Sequence, residues 1–210
     1  IPRTLSMTIY GDLDVSIIDE LPPGRKPIQT FHWLDTKRLR MFNHIKKEIE
    51  QGSQIYIVYP LINESEKMDY KDLMDGYKSI CRTFPPPKYN ISVIHGQMKT
   101  QDKDIEMQRF VKNETQIMVA TNVIEDGVDI PNVSTIIIES ANRFGLSQLH
   151  QLRGRVGRSS RKSFCYLIER KQTINSEKRL KVMEQTSDGF LISDEDLKLR
   201  GPGDFFGTKQ

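Results

Sequence analysis

The chain has 210 residues, a formal net charge of +3, and hydrophobic and charged fractions of 37% and 28%, which are ordinary for a globular protein. This length predicts one domain, with or without appendages. The sequence contains no apolar run of about 20 residues and no signal-peptide pattern, so it excludes a membrane-spanning helix and predicts a cytoplasmic protein without a membrane partner.

Residues 1–27 lack a helical period and close on a Pro-Pro-Gly turn, which is typical of a connector. From residue 28, apolar runs rich in β-branched residues alternate with amphipathic stretches. We predict strands at about 28–33, 54–62, 89–96, 116–121, 133–140 and 162–170, and helices at about 35–51, 70–84 and 100–112. Strands that are nearly continuous in Ile and Val are buried on both faces, and their alternation with helices indicates parallel βαβ units. The pattern predicts a doubly wound α/β domain with a mainly parallel sheet over residues 28–170.

The alternation of strands and helices ends near residue 170, and the pattern of residues 171–210 predicts a helical hairpin followed by a loop. One helix is expected at 175–186, capped by Ser176, and a second at 193–200, introduced by Ser193. Asp188 and Gly189 between them are typical of a turn. The end of the chain, "RGPGDFFGTKQ", is too rich in Gly and Pro for regular structure.

Cysteine and histidine give no indication of a metal site. Cys165 lies in the apolar run "SFCYLIE", so a buried reduced thiol is favoured over a disulfide with Cys81. The four histidines have no ligand spacing. Basic residues strongly outnumber acidic ones over residues 153–181, whereas acidic residues prevail over 184–204. A local basic stretch in a nearly neutral chain indicates a surface for phosphate or nucleic acid.

Polar or small residues follow the predicted strands, where ligands of open α/β sheets collect. The candidates are His95, Gly96, Thr121, Gly127, Asp129 and the arginines of "QLRGRVGRS".

The stretch "QLRGRVGRSS", residues 151–160 and here called the arginine segment, is the most distinctive of these. If it is helical, Gln151, Arg155 and Arg158 share one face, while Leu149, Leu152 and Val156 share another. Because Gly154 and Gly157 have no side chain, another backbone or a ligand could come close to this helix. The planar donor fork of arginine suits phosphate oxygens, so a polyphosphate is the natural target. A solvated basic run and a nonspecific nucleic-acid patch remain alternatives.

In order along the chain, "ATNVIEDGVDIP" resembles motif V and "QLRGRVGRS" resembles motif VI of the second RecA-like domain of superfamily 2 helicases. The segments "GDLDVSIIDELPPGRKP", "NRFGLSQLHQLRGRVGR" and "DGFLISDEDLKLRGPGDFFGTKQ" resemble the RecG family of bacterial ATP-dependent DNA helicases, over essentially the whole chain. Transcription-repair coupling factors share the tail pattern, but the connector resembles RecG more closely. The resemblance implies a RecA-like lobe, ATP and Mg²⁺ as cofactors, and branched or forked DNA, including stalled replication forks in recombination and repair, as the substrate.

The resemblance also implies roles for the nucleotide-binding residues. Arg155 and Arg158 match arginines that contact the γ-phosphate, and Gln151 matches the residue that links this motif to the partner lobe. Gly127 and Asp129 match positions near the ribose and the interface between lobes. Asp126 departs from the valine usual in RecG sequences and adds a negative charge beside Gly127.

Further roles implied by the resemblance concern DNA. Thr121 matches a hydroxyl that contacts the DNA backbone, and His95 and Gly96 match a loop near the tracking strand. Arg200 and Gln210 match the translocation hairpin and loop, which relay nucleotide state to DNA movement.

A Gly-rich phosphate loop ending in Lys and Ser or Thr is missing, as is a carboxylate motif for Mg²⁺. The segment "PPGRKP" is a proline turn. We therefore expect the arginines to act as fingers on a triphosphate held by another lobe. The first RecA-like lobe and a fork-binding wedge domain are expected to precede Ile1. A free-standing nucleic-acid module would need stacking aromatics, and a small-molecule enzyme would need a nucleophile and base in reach of each other; neither pattern is visible.

Overall fold

A computed structural model describes residues 26–60, 66–121 and 130–200 of the chain. Its centre is a six-stranded sheet in which every pairing is parallel. The strands are β1 (Ile28–Leu34), β2 (Gln54–Tyr59), β3 (Ile91–Ile94), β4 (Ile117–Thr121), β5 (Val133–Ile138) and β6 (Ser163–Glu169). Their order across the sheet is β1-β6-β5-β2-β4-β3. The expected RecA-like α/β fold with a parallel sheet is confirmed.

Six α-helices are described: α1 (Arg38–Glu50), α2 (Glu66–Thr83), α3 (Thr100–Val111), α4 (Leu146–Arg153), α5 (Ile174–Gln185) and α6 (Gly189–Arg200). The 3-10 turns Asp35–Lys37 and Ala141–Arg143 precede α1 and α4. The expected positions hold within a few residues, with the largest differences at α2, which begins at Glu66 and not at residue 70, and at α6, which begins at Gly189 and not at residue 193. α2 nevertheless ends, as expected, just before the proline run.

Two apolar layers lie on the two faces of the sheet. Alternate residues of β2 show the division, since Ile55 and Ile57 pack with α1 and α2, whereas Tyr56 and Val58 pack in a layer with residues of α3 to α6. This is the arrangement expected for a doubly wound sheet, whose strands are buried on both faces.

The terminal hairpin packs on the second layer. Leu180 and Met183 of α5 and Ile192 of α6 are buried in the same apolar cluster as α4 and the sheet. The hairpin prediction is confirmed for residues 174–200. The loop from residue 201 and the connector up to residue 25 lie outside the described residues.

The two predicted capping residues of the hairpin helices, Ser176 and Ser193, are wrong. Helix α5 is capped by Thr173, whose hydroxyl accepts from the Ser176 backbone N–H at 3.1 Å, and Ser176 lies inside the first turn. Helix α6 begins at Gly189, four residues before Ser193, because the Asp188 carboxylate accepts from the Phe190 N–H at 2.7 Å. Asp188 and Gly189 therefore start a helix, and the acidic side chain supplies the cap.

Candidate functional site

Helix α4 carries the arginine segment and is fixed by its apolar side. Leu146, Leu149 and Leu152 are buried in the layer between the helix and the sheet. The helix ends at Arg153, and the Gly154 N–H closes the last turn by donating to His150 O at 3.0 Å. Arg155 and Arg158 therefore lie beyond the helix. The expectation that they extend a helical face with Gln151 is wrong, because the helix ends at Arg153 with Gly154 as its C-cap.

Gly157 explains how the chain turns after α4. Its φ is +80°, and a Cβ built there would lie 2.8 Å from Cγ1 of Ile28, the first residue of β1. The position is therefore restricted to glycine by both conformation and contact. At Gly154 the nearest atom to a built Cβ is 3.4 Å away, an ordinary contact. At Gly157 the space left by the missing side chain is filled by Ile28 of the same chain. Of the two glycines, only Gly154 fits the expectation that a ligand can come close to the backbone.

The arginine segment lies at the amino edge of the sheet, where the parallel strands begin. Gly157 contacts the start of β1, and the segment leads into Ser163 at the start of β6. It was expected among the carboxyl ends of the strands, and that placement is wrong, because α4 returns the chain from the carboxyl edge to the amino edge. Arg155 and Arg158 are half-buried and Gln151 is exposed. Arg158 Nε donates to Gly154 O at 3.4 Å.

Arg153 is a functional candidate that the sequence reasoning did not single out. It is only 3% exposed, and its Nη1 donates to the Met183 and Thr186 carbonyls at the end of α5, at 2.7 and 3.0 Å. Its Nη2 lies 3.1 Å from His150 Nδ1. Burial, and secondarily the charge of Arg153, lowers the pKa of His150, so a neutral ring can accept this hydrogen bond.

Helical spacing contained a signal for this buried arginine. Arg153 follows Leu149 by four residues and Leu146 by seven, so it falls on the apolar face of α4. An arginine on that face needs several acceptors, and the unpaired carbonyls at the end of α5 supply them.

Arg179 makes a second connection between α5 and the segment around α4. Its Nη2 donates to Phe144 O at 2.7 Å and its Nη1 to Asn142 O at 3.4 Å. Arg153 and Arg179 thus attach α5 to the last residue of α4 and to the chain just before α4.

His95 and Thr121 lie together at the carboxyl edge, opposite the arginine segment. Ile94 of β3 pairs with Ala120 of β4, so the next residues of the two strands are neighbours. Thr121 is 2% exposed, and within the described ranges its hydroxyl has no hydrogen-bond partner. Burial, and secondarily Lys103, lowers the pKa of His95, which favours the neutral ring. Gly96 is exposed, and its carbonyl accepts from Lys103 Nζ at 3.3 Å.

Several expected site residues lie outside the described residues. These are Gly127, Asp129 and the neighbouring Asp126, together with Gln210; helix α6 ends at Arg200, whose side chain is not described. Their roles remain predictions.

The described ranges contain no cluster of three or more His, Cys, Asp or Glu side chains able to hold a metal ion. Cys165 is buried and Cys81 is half-buried, and both are free, as expected. Burial raises the pKa of the Cys165 thiol to about 12. No described helix is long and apolar enough to cross a membrane.

Residues 37–160 match the helicase conserved C-terminal domain family. The chain is similar over its whole length to ATP-dependent DNA helicase RecG of Synechocystis sp. (50% identity, 25% of that protein) and of Bacillus subtilis (47% identity, 31% of that protein). It therefore spans between a quarter and a third of these relatives.

A solved structure of RecG bound to a three-way DNA junction matches 97% of the chain and 26% of its own chain, with a TM-score of 0.79 and 38% identity. The yeast protein Dbp5 bound to RNA and ADP BeF3 matches 89% of the chain and 46% of its own, with a TM-score of 0.53 and 17% identity, a likeness of fold alone. By its motifs, its sheet and its match to the family over most of the α/β domain, the chain belongs to the family of helicase conserved C-terminal domains.

Proposed function

We propose that the chain is the second motor lobe of a longer ATP-dependent double-stranded DNA helicase that remodels branched DNA and stalled replication forks in the bacterial cytoplasm. Residues 28–170 would form the lobe, residues 171–210 the translocation hairpin and loop, and residues 1–27 the connector from the first lobe. Two observations support this proposal. The chain is similar to RecG proteins over its whole length, and it shares its fold with a RecG that was solved bound to a three-way DNA junction.

The observation that carries the proposal is the presentation of Arg155 and Arg158. Helix α4 ends just before Arg155, Gly157 constrains the backbone between Arg155 and Arg158, and both residues lie at the amino edge beyond the end of the helix. Guanidinium groups held on a constrained backbone suit phosphate oxygens, and they stabilise charge that grows during phosphoryl transfer. Bound ATP would supply the γ-phosphoryl group that is transferred to water.

The residues described fit only part of a nucleotide site. The arginines match a triphosphate, whereas the described ranges offer no carboxylate cluster for Mg²⁺. The first RecA-like lobe would therefore hold most of the nucleotide and the metal, with Gln151, exposed on α4, facing that lobe. Gly127 and Asp129 would approach the ribose.

Coupling to DNA would run through α5. Arg153, the last residue of α4, and Arg179, which donates to Phe144 before α4, attach this helix to α4, so movement of the arginine segment would displace the hairpin. Arg200 and Gln210, at the end of the hairpin and in the loop, would pass that displacement to the DNA. Thr121, His95 and Gly96 would contact the DNA at the carboxyl edge, with the fork-binding wedge domain as a further partner.

Substitution of Arg155 or Arg158 in the full-length helicase separates a role in ATP hydrolysis from a role in DNA binding. Arg155→Ala or Arg158→Ala should reduce ATP turnover by about 10³- to 10⁵-fold, because an arginine finger acts on charge present in the transition state. Affinity for branched DNA and its dependence on salt should change little. Lysine should restore turnover poorly, since it lacks the planar fork.

Arg161→Ala is the matched control. Arg161 follows the arginine segment, and its Nη1 contacts Ser53 Oγ at 3.4 Å in its own chain, so its loss should leave turnover near normal. Near-normal turnover in the Arg155 and Arg158 variants, with weaker DNA binding and a shallower salt dependence, would instead identify a nucleic-acid patch.

A further inference from the structure

A second basic site lies at the carboxyl edge, away from the arginine segment. A pocket opens where β2, β5 and β6, three neighbouring strands, end. Tyr59 closes β2, Glu139 follows β5 and Arg170 follows β6. We call it the basic pocket, after the three cations that line it, Arg143, Arg170 and Lys171.

The pocket lies at a crevice created by the topology. After β2 the chain leaves toward α2 on one face of the sheet, whereas after β5 it leaves toward α4 on the other face. Because β2 and β5 are adjacent, their carboxyl ends separate at this point. Ligands of open α/β sheets bind in such crevices.

The charge inside the pocket is positive. Arg143, Arg170 and Lys171 are exposed, and within the described ranges none of them forms a salt bridge with a carboxylate. The wall carboxylate of Glu139 is engaged by Arg38, from which its two oxygens accept at 2.6 and 2.8 Å, although Arg38 also donates to Asp35 at 2.6 Å. Among the lining residues, the three cations outnumber the two acids, Glu139 and Asp72.

The backbone of the pocket includes an uncommon conformation at Ser140. Ser140 adopts a left-handed conformation with φ +49°, which is uncommon for a residue other than glycine and often marks a functional position. The following 3-10 turn presents Asn142 and Arg143 to the pocket. Arg179 holds that turn through the Asn142 and Phe144 carbonyls.

We propose that Arg143, Arg170 and Lys171 bind a backbone phosphate of DNA in the basic pocket. This inference rests on the proposed DNA-helicase function. The walls of the pocket carry the donors that phosphate contacts use: guanidinium, ammonium, serine hydroxyl and asparagine amide. The pocket opens on the same edge as Thr121, and β2 alone separates β5 from β4. With strands about 4.8 Å apart, one DNA molecule can contact both places.

The test measures affinity of the full-length protein for a three-way DNA junction between 50 and 200 mM salt. The double variant Arg170→Ala/Lys171→Ala should bind more weakly, and the slope of log K against log salt should become shallower by about one. Arg143→Ala should also weaken binding and make the slope shallower. The affinity loss should be similar for junctions of different base sequence, since phosphate contacts carry no sequence information.

The matched control is Lys47→Ala/Lys112→Ala, which removes the same charge from exposed positions at or near the ends of α1 and α3, toward the amino edge. It should leave affinity and slope unchanged. Unchanged affinity and slope in the pocket variant, or an equal loss in the control, would overturn the phosphate site. Absence of junction binding by the unsubstituted protein would contradict the proposed function itself.

Discussion

Gly157 is the residue at which the backbone of the arginine segment is most constrained. Gly157→Ala should destabilise the protein by about 2–4 kcal/mol, because the new Cβ meets Ile28 at 2.8 Å and alanine disfavours a φ of +80°. Gly154→Ala should change the free energy of unfolding by no more than about 0.5 kcal/mol, since that position is exposed and has right-handed dihedral angles. Urea unfolding of the two variants measures the difference. Equal effects would show that Gly157 is not fixed by contact with β1.

Arg153 shows why charge alone is a poor guide to the role of a residue. The three arginines of the segment look alike in sequence, yet one is buried against the end of α5 and two lie beyond the helix. Helical spacing from Leu146 and Leu149 could have separated Arg153 from the others. Its carbonyl partners could not be predicted, because they belong to a helix 30 residues away.

Helix α5 links the arginine segment to the end of the hairpin, so its attachments should matter for coupling. Arg179→Ala removes the donor to Phe144 O and Asn142 O. We expect DNA-stimulated ATP turnover in the full-length helicase to remain while branch unwinding falls several-fold, because the hairpin would no longer follow the segment around α4. Parallel ATPase and unwinding assays measure this.

Lys181→Ala is the control on the same helix. Lys181 is exposed, and its salt bridge at 3.5 Å joins it to Glu177 one turn away. This variant should keep both activities. A loss of ATPase and unwinding in equal proportion in Arg179→Ala would contradict a coupling role.

The elements were largely predictable because their signals are local. Continuous apolar runs located the strands within a few residues, and the prolines after Phe84 marked the end of α2. The first residue of a helix was harder to predict. Asp188 caps a helix as well as serine does, and Ile192, which lies before Ser193, is buried in the core as part of α6.

At the scale of the whole molecule, the sheet separates two groups of candidate residues. The arginine segment lies at the amino edge, while Thr121, His95 and the basic pocket lie at the carboxyl edge. The order of elements alone could have predicted this, since a segment between a crossover helix and a strand must lie where strands begin. The sequence could not predict the basic pocket, because its residues come from three separate strand ends.

The central claim is that this chain contributes the arginine side of an ATPase site whose phosphate and Mg²⁺ ligands lie in another lobe. The most direct measurement is steady-state ATP hydrolysis by purified residues 1–210 with Mg²⁺ and branched DNA, after cooperative thermal unfolding has shown that the fragment is folded. We predict no turnover above background, because nothing in the sequence provides a phosphate loop. DNA-stimulated turnover by the folded fragment, abolished by Arg158→Ala, would contradict the account.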